Sequence, residues 1–405
     1  MHQQIRIELI SKAKKDLMFI VEEGRALTIA CVAALFIGGT MPSVAQEIHP
    51  LSSDNPRVTK TDLVVDDAVA NFLSNSCHVG LSIAMVMGAH TKFYNYGSTS
   101  RDKQELPDAD SVYEIASITK TFTGALAAQA VVEHRMKLDT DFRDYLPEAY
   151  PNLAWQGHPI TLSSLATHRS GLPRDLPNTD DLYAHRDFER LAYQLVERES
   201  GYDRTRYLQE LHTVHLSSLP GSKEVYSNLG LKVIGFGLER VYGVSFEKLI
   251  EQRILHPLGM RSTGFVVPHA EQAHLVQGYS RSAKPMPYHL RNAGAAYGLY
   301  STTRDMAKYL HWQLEESDPV IRLAHQPLQG NVENGEALIW NLTLDGGTRL
   351  FWHGGGTFGM SSQVVLYPDD QEGFVLLSND TCEGTESSLK NTAIAVHRAL
   401  KAATK

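Results

Sequence analysis

Three short clusters in this chain have the residue types and spacing for acyl transfer. Ser117-Ile118-Thr119-Lys120 offers a hydroxyl and, three positions on, an amine. Tyr226-Ser227-Asn228 offers a phenol and a side-chain amide, and His353-Gly354-Gly355-Gly356 an imidazole beside a glycine run. Together they supply a nucleophile, two proton carriers and backbone N–H groups that could hold an oxyanion, which are the parts needed for chemistry through a serine ester. The pattern S-x-x-K begins at Ser11, Ser100, Ser117, Ser245 and Ser387, so the pattern alone decides nothing. Ser117 is singled out by its context and by its partners downstream.

Each cluster also has an ordinary alternative. A serine at a helix start caps it, and a lysine one turn on is usually solvated. Tyr226 could be a core aromatic and Asn228 a helix cap. The glycines could form a plain β turn with His353 incidental. In the chemical reading, apolar neighbours (Ile115, Phe122, Leu126) lower the pKa of Lys120 so that it takes the serine proton. Tyr226 becomes phenolate-like beside Lys120, Asn228 meets a substrate amide, and glycines mark close approach of a ligand or backbone. His353 faces a substrate carboxylate or joins the proton network. With an unperturbed pKa of about 6.5, its charge would then switch in an accessible pH range.

The elements that must position these groups can be read from periodicity. Asp62–Ser74 has helical apolar spacing, and Gly80–Met87 with Lys92–Tyr96 reads as a hairpin. A helix begins near Ser117. A helix-rich middle follows, with Ile160–Thr167, Leu191–Val196, Leu229–Tyr242, Phe246–Ile254 and Arg304–Leu314. Strands return at Ala337–Leu344, Arg349–Trp352, Ser361–Tyr367 and Gly373–Ser378, and Glu386–Ala399 closes the chain as a helix. Strands at both ends with helices between predict an α+β fold. Its antiparallel sheet is built from the N- and C-terminal segments (about 62–116 and 337–400) and flanked by helices, with a helical subdomain inserted at about 121–315.

Bulk properties narrow the function classes. The 405 residues are 42% hydrophobic and 21% charged, an ordinary globular composition. A net charge of -8 without a Lys/Arg block speaks against nucleic acid and anionic membrane surfaces as partners. Ala26–Gly38 is an apolar run after Arg25, and Ser43-Val44-Ala45 fits a small-x-small cleavage site. Residues 1–45 are therefore expected to be a signal peptide and 46–61 a linker, giving an exported, periplasmic protein without stable membrane insertion after cleavage. Cys77 and Cys382 remain, expected as two separate buried thiols.

The three clusters, in their order, resemble the class C β-lactamase and penicillin-binding-protein family of serine hydrolases. So do Ile160–Leu162 running into Ala166-Thr167-His168-Arg169-Ser170-Gly171-Leu172-Pro173, the turn His256–Met260, and Gly298–Thr302 with Asp305-Met306. Leu165–Pro177 is most similar to the D-alanyl-D-alanine carboxypeptidase/endopeptidase members. The resemblance covers about residues 62–400. It implies Ser117 as the acylated nucleophile, Lys120 and Tyr226 as the proton-transfer pair, Asn228 as a substrate-amide contact, and the N–H groups of Ser117 and Gly356 as the oxyanion hole. It implies no cofactor or metal. No G-x-S-x-G, H-E-x-x-H or C-x-x-C occurs, which favours a metal-free serine mechanism. The chain departs from the family where His353-Gly354-Gly355 replaces Lys-Thr-Gly. A permanent cation and a hydroxyl are lost, which favours peptidase or esterase over β-lactamase activity. The implied substrate is a small molecule or a cell-wall peptide. An esterase or D-amino-acid amidase, and a non-catalytic penicillin-binding or sensor protein, are the competing readings.

Overall fold

The computed structural model of the chain describes residues 52–403, apart from 104, 185–186 and 289–293. The expected signal peptide and the start of the linker lie outside the described residues. Residues 80–87, GLSIAMVM, have no polar face, as expected for a strand covered on both sides. They form β1 (Gly80–Met87), which turns through Gly88-Ala89 into β2 (His90–Gly97). The other strands of the main sheet are β3 (Gln329–Gly330), β4 (Asn334–Glu336), β5 (Asn341–Asp345), β6 (Thr348–Gly356), β7 (Ser361–Tyr367) and β8 (Glu372–Ser378). They make one eight-stranded antiparallel sheet in the order β2-β1-β8-β7-β6-β5-β4-β3.

Five helices frame the site: α1 (Lys60–Leu73), α2 (Thr119–Val132), α3 (Asn228–Tyr242), α4 (Thr303–Leu314) and α5 (Thr385–Ala402). Alternation along the strands sorts the core into two layers. Leu81, Ile83, Met85, Val365, Phe374 and Leu376 meet Val65, Val69 and Phe72 of α1 and Leu389, Ala393 and Val396 of α5. On the other face Ala84, Val86, Val364, Leu366, Val375 and Leu377 join the larger core, which includes Phe122 and Leu126 of α2 and Met306 and Leu310 of α4. Among the described residues no helix is long and apolar enough to cross a membrane.

Four expectations need correcting. The strand expected over Ala337–Leu344 begins only at Asn341. The strand expected to end at Trp352 continues through the glycines to Gly356, because pairing with β7 holds that run extended. The single helix expected over Phe246–Ile254 stops at Ile250 and is followed by a π-helical turn, Glu251–Leu255, just ahead of Pro257, which lacks a backbone donor. Cys77 and Cys382 form a disulfide, with Cα atoms 6.0 Å apart, in place of two separate thiols. The register explains the bond. Leu81 pairs with Ser378, so the chain enters β1 and leaves β8 at the same end of the sheet.

Candidate active site

Ser117 sits in a tight 3₁₀ turn, Ala116–Ile118, that leads into α2. Ala116 has φ +49°, a left-handed conformation that costs a non-glycine residue on the order of 1 kcal/mol. The turn is tied at both ends. Ile115 N–H donates to Leu299 O at 3.0 Å, and the Ser362 hydroxyl donates to Ile115 O at 2.9 Å. Ser117 makes no helix cap. Its Oγ lies 2.8 Å from Lys120 Nζ and 2.8 Å from Tyr226 OH. By contrast Ser245 caps a helix through Lys248 N–H, and the Ser100 hydroxyl accepts from Lys103 N–H. Structural roles therefore occupy those two S-x-x-K serines.

Lys120 is fully buried, and its Nζ also donates to Ala296 O at 2.7 Å. Burial drives its pKa well below the ordinary lysine value, against the pull of Asp175. A neutral amine can accept the Ser117 proton across this contact. The phenolate expected at Tyr226 is not supported. Burial pushes that phenol up to about 12, and its contacts with Ser117 and Arg174 offset only part of the rise. Tyr226 therefore keeps its proton and can donate it.

Strand β6 supplies the third wall. Its pairing with β5 ends at Trp352–Asn341, which leaves residues 353–356 with an open edge. Thr357 N–H donates to Met360 O at 2.9 Å and closes the hairpin to β7. Bonded and non-bonded pairs alternate along an antiparallel ladder. Gly356–Ser361 and Gly354–Gln363 are therefore non-bonded pairs, and the N–H and C=O groups of Gly354 and Gly356 point to the open edge. Gly355 faces the Ser117 turn so closely that a Cβ there would lie 2.7 Å from Ser117 N. Glycine at this position lets the strand and the turn share one site.

His353 lies beside this edge. Its Nδ1 is 2.8 Å from Gly354 O, and since a carbonyl only accepts, Nδ1 carries the proton and Nε2 is the free acceptor. Burial, with Lys120 nearby, holds its pKa down to about 4. This corrects the expected switch near 6.5, because the imidazole is neutral throughout the mildly acidic and neutral range.

Ser117, Tyr226, His353, Gly354 and Gly356 line one cavity of about 430 Å³. Lys120 and Gly355 stand directly behind its wall. Asn228, expected as a substrate-amide contact, is buried and lies just outside this lining. Its Nδ2 donates to Asp175 Oδ2 at 2.9 Å, and its Oδ1 is buried without a partner. Ser227, not Asn228, caps α3, accepting from Gly230 N–H at 3.0 Å. Four of the wall residues that were not anticipated stand closest to this chemistry. His168 packs on Tyr226 with ring centroids 4.4 Å apart and accepts from Ser227 N–H at 3.2 Å; burial holds its pKa near 3. The Arg174 guanidinium lies 5.5 Å from the Tyr226 ring centroid. Lys390 stacks on Trp352, and Glu386 reaches over Gly354 and Gly356. His168 lies within the segment already recognised as distinctive and Arg174 directly follows it. The other two sit on α5, where nothing in the helical pattern marks them.

A buried lysine, a phenol and a strand edge around one serine define a serine-nucleophile site on an α+β sheet fold. Residues 65–399 match the Beta-lactamase family model, and the chain belongs to this family of serine hydrolases. It is 31% identical over 251 residues to the D-alanyl-D-alanine-carboxypeptidase/endopeptidase AmpH of Escherichia coli K12, covering 62% of this chain and 61% of that protein. It is 29% identical over 267 residues to a beta-lactamase of Providencia stuartii, covering 63% and 60%. The chain thus spans about three-fifths of these relatives' length. In fold it is similar to a Beta-Lactamase/D-Alanine Carboxypeptidase from Pseudomonas syringae, with a TM-score of 0.71 at 21% identity, covering 84% of this chain and 99% of that one.

Proposed function

We propose that this protein is an exported enzyme that hydrolyses D-alanyl peptides of the cell wall through an ester on Ser117. The observation that carries the reading is the pair of 2.8 Å contacts that Ser117 Oγ makes with Lys120 Nζ and Tyr226 OH. In the first step neutral Lys120 takes the Ser117 proton as Oγ attacks the scissile carbonyl carbon. The N–H groups of Ser117 and Gly356 hold the oxyanion. As the bond to the leaving amine breaks, Tyr226 gives that amine its phenolic proton and recovers one from the Lys120 ammonium. Water then cleaves the ester by the same transfers in reverse. The relative named as a carboxypeptidase/endopeptidase supports the peptide class. A disulfide between Cys77 and Cys382 fits an oxidising compartment and so supports export. An esterase or amidase is the second reading, favoured by the neutral state of His353, which leaves no permanent cation at that position to attract a carboxylate.

Incubating the protein with a fluorescent penicillin, a fluorophosphonate, a D-Ala-D-Ala peptide and a short-chain p-nitrophenyl ester tests the assignment. Labelling should map to Ser117 and disappear in Ser117→Ala. Label retained in that variant, or mapping to Ser387, rejects Ser117 as the nucleophile. Turnover of the ester without the peptide selects the second reading, and a stable adduct with no turnover at all selects a non-catalytic binder.

A further inference from the structure

The cleft beside Ser117 holds a carboxyl group, Glu386, in no ion pair; burial raises its pKa and the nearby Lys120 pulls it back only in part. Glu386 stands in the first turn of α5, the helix that packs on the opposite face of the sheet from the Ser117 turn. Its carboxyl reaches across the open edge of β6. A Cβ on Gly354 would lie 3.0 Å from its Oε2, and one on Gly356 2.7 Å from its Oε1. Neither glycine carries a side chain to shield it. Among the described residues no donor or cation pairs with this carboxyl. The two cations on the cavity wall lie over aromatic rings, and the buried Nε of Arg174 has no hydrogen-bond partner. Lys390 Nζ lies 3.9 Å from the Trp352 ring centroid. The Arg174 guanidinium lies 4.7 Å from the Tyr183 ring centroid, and its Nε is 3.9 Å from Asp175. Glu386 also lines a second cleft of about 800 Å³, which shares Arg174, Gly356, Glu386 and Ser387 with the catalytic cavity. The carboxyl therefore stands where a substrate crosses from one space to the other.

We propose that Glu386 selects substrates that carry a primary ammonium beside the scissile bond, seated between this carboxylate and the open edge at Gly354–Gly356. The inference rests on the serine-hydrolase reading and narrows its substrate class. An ammonium has three donors and no acceptor. Glu386 offers acceptor oxygens, and the outward carbonyl of Gly356 offers another, while the Gly354 carbonyl is already taken by His353 Nδ1. A substrate carboxylate at the same place would meet the Glu386 carboxyl and its acceptor oxygens.

Two matched pairs of compounds locate the ammonium. D-alanyl-p-nitroanilide against its N-acetyl form carries it on the acyl half. N-acetyl-D-alanyl-D-lysinamide against the D-norleucinamide carries it on the leaving half. The quantity read is the ratio of kcat/KM, cationic over neutral, within each pair. At least one ratio should exceed one in the wild type. It should fall about tenfold to a hundredfold in Glu386→Gln, the span of one hydrogen bond to a charged group, and fall below one in Glu386→Lys. Wild-type ratios at or below one in both pairs, or ratios unchanged in Glu386→Gln, overturn the proposal. Calorimetric binding of the same compounds to Ser117→Ala, with and without Glu386→Gln, needs no turnover. An ammonium preference in binding with no turnover by the wild type rejects the hydrolase reading and keeps the selection. Turnover with equal handling of each pair does the reverse.

Discussion

Lys120 on α2 and Lys232 on α3 are both buried and both surrounded by tyrosine rings. Lys120 Nζ lies 5.0 and 5.6 Å from the ring centroids of Tyr226 and Tyr297; Lys232 Nζ lies 4.5 and 5.3 Å from those of Tyr207 and Tyr297. Their protonation is nevertheless driven in opposite directions. Burial works against the Lys232 charge, but Tyr207, Asp175 and Glu199 outweigh it and raise the pKa. Tyr207 OH is 2.7 Å from the Lys232 amine and Asp175 is 3.8 Å away. Lys120 touches a carbonyl and the Ser117 hydroxyl instead. Burial outweighs Asp175 and Glu386, which pull its pKa up, and Arg174 and Lys232 oppose that help. Similar burial thus yields a cation where carboxylates are close and a base where they are not. The second lysine is a built-in control for the first.

The largest effect that could break this contrast is catalytic. Lys120→Met and Tyr226→Phe should each lower kcat/KM for an ester by about 10² to 10⁴, the usual span for general acid–base groups. The double variant should be scarcely worse than the poorer single one, because groups acting as a unit are not additive. Losses that add fully in log(kcat/KM) would separate the two residues and reject the shared proton path.

Stability should sort the lysines the other way. Lys232→Met leaves Asp175 and Glu199 without their buried cation, which should destabilise the fold by about 3–5 kcal/mol. Lys120→Met removes an amine that has no close carboxylate, at a cost of about 1 kcal/mol for the hydrogen bond to Ala296 O. Guanidinium unfolding at matched m-values measures both. Equal losses would mean that Lys120 is held as a cation after all.

This contrast also marks what could be read before the structure. That Ser117, Lys120 and Tyr226 come together was legible from residue type and motif order, and the two-ended sheet was legible because β1 and β8 and the second half of β7 are mostly apolar. The charge environment was not, because it is assembled from remote segments. Asp175 sits in a loop 55 residues after Lys120 by number, and Glu386 lies on the last helix. The partner of Asn228 was not legible for the same reason, since the carboxyl that accepts from its amide belongs to that loop. The disulfide was missed because the expectation placed both termini in one sheet without saying which strands are neighbours. Once β1 and β8 are neighbours, Cys77 and Cys382 leave the same end.

The smallest effects lie in pH dependence, where the two lysines should slope in opposite directions. A lysine whose folded pKa is lowered gives up its proton on folding, so its contribution to stability grows as pH rises toward about 10.4, the free value. That is the case of Lys120. Lys232 has a raised pKa, so its contribution is complete below about 10.4 and is lost as pH climbs through the folded value. Between pH 7 and 10, Lys120→Met should therefore flatten a rise in stability, and Lys232→Met should not. The same logic fixes the activity profile. His353 near 4 and His168 near 3 are neutral above about pH 5, and Tyr226 near 12 stays protonated to about pH 11. The acid limb of kcat/KM for a neutral ester then belongs to the Lys120 unit. His353→Gln should change the height of that profile and not the pH of its limb. A limb that moves by a unit or more in this variant would transfer the titration to His353, and the contrast between a matched and an unmatched lysine would no longer explain how the site obtains its base.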